Sequence, residues 1–377
     1  AVIELAFNGR RPGAGEKNIR IANKKITIRA GKNKAGKLFQ PLIEFAPTEN
    51  SATDDLQLVT LLNGSVDFYD INLSLIVNEE IEAENWIFFS MRESDKLRLQ
   101  GVQLSVQNPG HRNVAIVELA TSPGGELDSL ESMTKSANGQ PPEFLIKISE
   151  SFIRGDCDLF VDRHVSAGRF DIEKSIIAIE GTLLKNLGDH LDMPQEGARL
   201  SLQLEHVTAV LGNSLIRMKN DVLRREMLPV NVTARNSIMA TNTSNPLIFM
   251  SGSDTADDQR RLLRWQGEKN FYDQYQSFWT IETKEEMTKT ESRDFEGWLQ
   301  IWTATQDSSD VSPQNKGLKW KKKSWLDQEM IDITPSLLAL DSTTEETRTL
   351  HAATDGSDIG ADIATFMVDK KEIEEEK

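Results

Sequence analysis

The sequence predicts an all-β fold: a single-stranded, right-handed parallel β-helix, that is, a three-sheet solenoid, with a short helix and a C-terminal capping segment. Three observations carry that expectation. One pattern of apolar or small residues at i, i+2, i+5 and i+7 occurs six times; an apolar pair follows four of the copies at a similar offset; and the copies stand about 24 to 32 residues apart, except across one long polar interval.

The copies are Val66, Phe68, Ile71, Leu73; Leu97, Leu99, Val102, Leu104; Ile146, Ile148, Ser151, Ile153; Phe170, Ile172, Ser175, Ile177; Leu202, Leu204, Val207, Ala209; and Val232, Ala234, Ser237, Met239. A step of two is strand periodicity, because alternate residues of an extended chain point to one side. The step of three breaks the alternation, so the chain turns a corner between two short strands. His206 sits at such a corner, where Asn, Lys or Gly stands in other copies. The pairs Leu159-Phe160, Leu183-Leu184, Leu215-Ile216 and Leu247-Ile248 follow and supply a third strand. Three short strands per coil give a β-helix, whose inward residues stack from coil to coil while the backbones pair. A leucine-rich repeat would show a regular Leu/Asn consensus, which is missing. A β-sandwich does not explain a corner that recurs in one phase.

Residues 1–282 are therefore read as coils, with an excursion over about 121–142 that leaves and returns through Pro- and Gly-rich segments. The polar gap at 251–259 reads as a similar loop. Residues 283–366 are read as terminal coils and a cap, because an open terminal coil presents bare core and unpaired strand edges. Phe295, Trp298, Leu299 and Trp302 fall at helical spacing and predict a short amphipathic helix near 291–304. Residues 367–377 form a charged tail that is expected to be mobile.

The balance of 43 Lys and Arg against 59 Asp and Glu gives a formal net charge of −16. Such a field repels nucleic acid and disfavours polyanionic glycans. The basic run Lys319, Lys321, Lys322 and Lys323 around Trp320 is the local exception, and reads as a solvated loop with one buried indole. Cys157 is the single cysteine, which excludes an internal disulfide framework. Flanked by Asp156 and Asp158, it lacks the basic surroundings that lower a thiol pKa, and reads as buried or inert. No apolar run approaches the ~18 to 20 residues that cross a bilayer. Ala1 leads directly into the strand-like Val2-Ile3-Glu4-Leu5, so the chain reads as a processed protein or an excised piece, with any signal peptide or anchor upstream.

The coils over 146–250 resemble the pectin-lyase-like right-handed parallel β-helix proteins. Trp265-Gln266-Gly267 to Asn270-Phe271-Tyr272 looks like the late-coil segment of bacterial members. Asp355-Gly356-Ser357-Asp358-Ile359-Gly360-Ala361-Asp362 is similar to the Asp-Ile-Gly-Ala motif that closes many such solenoids. The whole run, opening with Ile26-Thr27-Ile28-Arg29-Ala30, most resembles the β-helical regions found behind Ser/Thr protein kinase domains in planctomycete bacteria. These are scaffold motifs: the fold hosts lyases, hydrolases, esterases, adhesins and plain binding modules. No kinase motif stands in the chain, so the resemblance implies a kinase and a membrane anchor upstream of Ala1.

Enzymes on this scaffold mostly use carboxylates on the outer face of one sheet, and a hydrolase needs a close acid/base pair. The best acidic cluster is Asp156, Asp158 and Asp162, with Arg154, Arg163 and His164 interleaved. Alternation would set the three on one side of an ideal strand, unless a bend intervenes. Its functional reading is a catalytic or Ca²⁺ site; its structural reading is a solvated corner. Arg154-Gly155-Asp156 also spells an integrin-type adhesion signal, too short to carry weight. His111, His164, His190, His206 and His351 lack zinc-ligand spacing, so no metal is expected, and with glycine-rich phosphate loops missing no cofactor is expected either.

The remaining lead is aromatic. Trp265, Phe271, Tyr272, Tyr275, Phe278 and Trp279 crowd together in a chain that is only 7% aromatic. Exposed rings stack on sugars, whereas buried ones fill the end of a core. Gly267 to Asn270 reads as a turn, which leads to the expectation that Trp265 and Phe271 are core while Tyr272 and Trp279 are partly exposed and bind ligand. The leading function is a non-catalytic β-helix binding or scaffold module, extracytoplasmic, for a glycan or envelope protein, in the sensor region of a larger membrane protein. The rivals are a polysaccharide lyase or glycoside hydrolase, whose site would be assembled from scattered carboxylates, and a purely structural spacer or adhesion stalk.

Overall fold

A computed structural model describes residues 1–13, 18–48, 55–92, 95–119, 144–163, 167–188, 196–219, 227–252, 255–283, 289–303, 308–316, 318–341 and 351–367. The chain visits three sheets in turn. Sheet A has ten strands, from Val2–Leu5 to Ser309–Val311; sheet B has nine, from Gly9–Pro12 to Phe271–Asp273; sheet C has ten, from Ile19–Ala22 to Lys289–Arg293. Neighbours in each sheet are successive coils and pair in parallel, and an antiparallel hairpin of Trp279–Thr283 with Lys289–Arg293 ends sheet C. This is a three-sheet parallel β-helix. The excursion at 121–142 and the tail from 368 onward lie outside the described residues.

All four positions of all six repeats are buried. Ile148, Ile172, Leu204, Ala234 and Gly267 pair in register and form one interior row of sheet A. The corner after seven successive sheet A strands, from Ser65–Tyr69 to Leu263–Glu268, has a physical cause. Asp70, Gly101, Glu150, Lys174, His206, Asn236 and Lys269 are left-handed, with φ between 46° and 64°. That one residue reverses the alternation, and its N–H donates to the strand end of the next coil, as from His206 to the Arg235 carbonyl at 3.2 Å. Serine in the next slot serves the same corner. Ser237 Oγ accepts from the Val207 N–H at 3.1 Å and donates to the Arg235 carbonyl at 2.7 Å, so this inward hydroxyl is paired.

The third strand begins with two consecutive core residues. Leu159 with Phe160, Leu183 with Leu184, Leu215 with Ile216 and Leu247 with Ile248 are all buried, and the first of each pair closes the corner into sheet C.

The polar gap at 251–259 is not a plain loop. It contains the start of a helix, α1 (Ala256–Arg261), whose N-terminus is capped by the Thr255 side chain accepting from the Asp258 N–H.

Two devices finish the molecule. Helix α2 (Phe295–Thr303) lies within the span that the helical spacing predicts and closes the core, with Trp298 at 0% and Trp302 at 4% exposure. The sheet A row narrows from Leu204 to Ala234 to Gly267 toward this end, where the indoles take the space. The second device is a strap. After 318 the chain lies on the outside of sheet B, where Trp320, Trp325, Met330, Ile333, Leu338, Ala353, Ile359 and Ala361 pack on the outward residues Phe152, Ile176, Ala178, Val210, Ile238, Ala240 and Phe271. Within the span read as terminal coils and a cap, Ser309–Val311 adds a further strand to sheet A, and the chain after 318 forms an external strap. The basic run is as expected at its centre: Trp320 is buried, and its Nε1 donates to Asp273 Oδ2 at 2.6 Å.

Candidate functional site

The acidic cluster does not form one site. Because Leu159 and Phe160 both enter the core, the alternation inverts between Asp158 and Asp162. Asp158 Oδ2 faces Lys185 Nζ at 3.1 Å, and its Oδ1 accepts from the Thr182 N–H at 2.7 Å. Asp162 lies in register between Leu119 and Asn186 and is fully buried. Asp156 stands at the end of sheet B with His111 Nδ1 at 2.7 Å, and this carboxylate draws the exposed imidazole pKa upward. Cys157 is buried, and burial pushes its thiol well above the usual range, with the flanking aspartates adding to the shift.

A second carboxyl that the linear cluster did not contain stands near Asp156. Glu180, at the same corner one coil on, has its carboxyl pKa raised by burial, with Asp156 and Glu329 contributing. Its Oε1 accepts from the Met330 N–H of the strap at 3.2 Å. Beside it, Arg154 Nη1 donates to the Ile333 carbonyl at 2.6 Å, and Gly155 has φ +120° with the Val106 carbonyl where a Cβ would stand. The Arg154-Gly155-Asp156 triplet is thus tied under the strap and is not presented as an adhesion loop. This corner anchors the strap.

The aromatic cluster corrects an expectation. Tyr272 and Trp279 are 1% and 2% exposed, so neither presents a face to a ligand. Trp279 stacks on Trp302 with ring centroids 5.3 Å apart, and Tyr272 packs edge-on against Phe278 at 5.3 Å. Trp265 and Phe271 are buried as the turn at Gly267 to Asn270 predicts, but α2 folds over Tyr272 and Trp279 as well and completes the plug. Inside the plug stands Asp310, in register with Gly267. Its Oδ2 accepts from Tyr272 Oη at 2.8 Å and from Trp298 Nε1 at 2.9 Å. Burial pushes its carboxyl up to about 6, against the pull of those donors.

The open candidate is the outer face of sheet A. In Lys96–Gln100, Phe144–Ser149 and Gly168–Glu173 the inward residues fill the core, so the alternate ones stand outside: Arg98, Lys147 and Asp171 in one register row, Gln100, Ser149 and Glu173 in the next. With the left-handed corners Glu150 and Lys174, most of these residues line an open depression. Across it Lys147 pairs with Glu173 at 2.9 Å, and beside it Arg169 pairs with Asp171 at 2.9 Å. Arg98 Nη1 donates to Tyr69 Oη at 3.0 Å. Farther along, Gln203 beside Thr233 beside Gln266 continue the Arg98 row as neutral hydrogen-bonding groups, Ser201 beside Asn231 stand in the adjoining row, and the Gln100 row continues in the charged residues Glu205, Arg235 and Glu268. Among the described residues no group of His, Cys, Asp and Glu has the arrangement of a metal site.

No family model matches the chain, and neither does any curated protein or solved structure.

The strap and its anchors are the geometry that sequence reasoning missed. A signal was present: Ile176-Ile177-Ala178-Ile179 and Ile238-Met239-Ala240 are continuous apolar runs in sheet B, whereas sheet A strands alternate, and continuous runs mark strands covered on both faces.

Proposed function

We propose that this protein is a non-catalytic β-helix binding module whose ligand lies along the outer face of sheet A. The observation that carries the reading is the contrast between faces. The strap covers sheet B over five successive strands, whereas sheet A, from Lys25–Ala30 to Leu263–Glu268, presents outer rows that are polar or charged except at Leu145, repeating at the ~4.8 Å spacing of paired strands. Such a grid suits an extended ligand with repeating hydrogen-bonding groups, and a neutral glycan fits it better than a polyanionic one in a chain of net charge −16. An extended segment of an envelope protein is the alternative ligand. Ion pairing of Asp171 and Glu173 with basic neighbours supports binding over acid/base chemistry. Among the described residues no helix is long and apolar enough to cross a membrane. The likeness to pectin-lyase-like proteins, and to the β-helical regions behind planctomycete kinase domains, supports an extracytoplasmic sensor region with kinase and membrane anchor upstream.

Calorimetric titration with a panel of neutral glycans, with polygalacturonate as the anionic control, tests this. A neutral glycan should bind, and Gln203→Leu with Gln266→Leu should weaken it about tenfold, the loss of one or two hydrogen bonds, at an unchanged melting temperature. Release of reducing ends or unsaturated products would instead establish a polysaccharide-active enzyme.

A further inference from the structure

The left-handed corners along sheet A meet two different fates. Toward α2 the strap engages them: His206 Nε2 stands 3.3 Å from Asp355 Oδ2, Asn236 Nδ2 donates to Thr354 Oγ1 at 2.9 Å, and Lys269 Nζ donates to the Ala353 carbonyl at 3.3 Å. Glu150 and Lys174 hold the same corner on two successive earlier coils, and both are exposed. Among the described residues no hydrogen bond or ion pair engages either side chain, nor the side chains of Gln100 and Ser149 beside them. These four line the depression on the sheet A face, where the short Ser149 stands in register between the longer Gln100 and Glu173. The depression holds about 290 Å³ of open space. Small-ligand sites run upward from ~300 Å³, so it takes one unit of a chain and not the whole of it.

We propose, resting on the neutral-glycan reading of sheet A, that the depression is a subsite for one sugar unit that carries a free vicinal diol. The four unengaged side chains select this group. Glu150 accepts and Lys174 donates, while Gln100 and Ser149 do both. An anion drawn to Lys174 meets Glu150, and a cation drawn to Glu150 meets Lys174. A neutral group that both donates and accepts satisfies the two together. Glu150 and Lys174 leave equivalent corners of adjacent coils, ~4.8 Å apart, so the ligand must turn a donor and an acceptor to one edge of the depression. A trans peptide directs its N–H and C=O to opposite sides and meets only one of them. Two neighbouring hydroxyls meet both, since each oxygen donates and accepts. Lys147 with Glu173 and Arg98 with Tyr69 are already paired and shape the opposite wall.

The test is calorimetric titration of the full chain with cellohexaose, mannohexaose and xylohexaose, whose internal units carry a free vicinal diol, and with laminarihexaose, whose internal units carry none. At least one of the first three should bind, and laminarihexaose at least about tenfold more weakly, through the loss of one or two hydrogen bonds. Glu150→Gln and Lys174→Met should each weaken the bound hexaose about tenfold. Both side chains are exposed, so the melting temperature should not move. A hexaose that binds both variants as it binds the parent, yet is weakened by Gln203→Leu with Gln266→Leu, would overturn the subsite and leave the wider reading of sheet A standing. If no hexaose binds, that reading and the subsite fall together. Equal affinity for laminarihexaose would overturn the diol. So would a neutral octapeptide of Thr and Val that binds and is weakened by Glu150→Gln.

Discussion

Two carboxyls respond to pH in opposite senses. Asp310 is raised from 3.8 to about 6 in the folded chain, chiefly by burial, so between those values the folded state holds more protons than the unfolded one. Its contribution is fully present below about 4, falls as pH rises to about 6, and stays reduced above. Asp355 runs the other way. Hydrogen bonds from Ser357 hold it at about 2, with His206 Nε2 standing 3.3 Å away, so its contribution is present above about 4 and is lost as pH falls toward 2. Asp310→Asn keeps an acceptor for Tyr272 and Trp298 while removing the charge. It should flatten the decline between pH 4 and 6 and raise stability at pH 7 by at most about 3 kcal/mol. Denaturant titrations of both proteins at pH 4 and pH 7 read this directly; an unchanged pH slope in the variant would show that another group titrates. Nothing in the sequence singled out Asp310, because it lies in the three-residue strand Ser309–Val311, outside the repeat. The corner at His206 was legible because its neighbours recur in phase.

At the scale of elements, the strap is held where its end meets the sheet A corner. Asn236 joins both sides: its Nδ2 donates to Glu205 Oε1 and Thr354 Oγ1, each at 2.9 Å, and its carbonyl accepts from the Gly360 N–H at 2.7 Å. The Ala361 N–H donates to Thr208 Oγ1 at 3.0 Å. Gly360 is required twice over, by φ +90° and by Ile238 Cδ1 and Thr208 Oγ1 lying 2.7 Å from where a Cβ would stand. Gly360→Ala should therefore cost about 1 to 3 kcal/mol and speed amide exchange in Ile238–Thr241 beneath it, with the distant Leu97 strand unaffected. Exchange that stays at the parent rate in Ile238–Thr241 would mean that the strap does not protect sheet B. The Asp-Ile-Gly-Ala motif was visible as a closing motif, but its place was not, since the strap has neither strand nor helix period. The helix α2 was legible from Trp298 and Trp302; its burial of Tyr272 and Trp279 depends on a long-range contact that local spacing does not encode.

For the whole molecule, stacking fixes length: each coil adds one strand spacing to every sheet, so positions in one register row lie on a line. Lys25, Ser65, Lys96, Leu145, Arg169, Ser201, Asn231 and Arg264 form such a row on the outside of sheet A. This axis is what gives a long polar face on sheet A. Spin labels on exposed Lys25, Lys96 and Arg264, with buried Cys157 left unreacted, measure it by electron–electron dipolar spectroscopy. Backbone separations should be about 10 Å for Lys25 to Lys96, about 24 Å for Lys96 to Arg264 and about 34 Å for Lys25 to Arg264, at ~4.8 Å per strand. The two shorter distances should sum to the longest once label length is allowed for. A Lys25 to Arg264 distance no longer than that from Lys96 to Arg264 would contradict the solenoid and every surface derived from it.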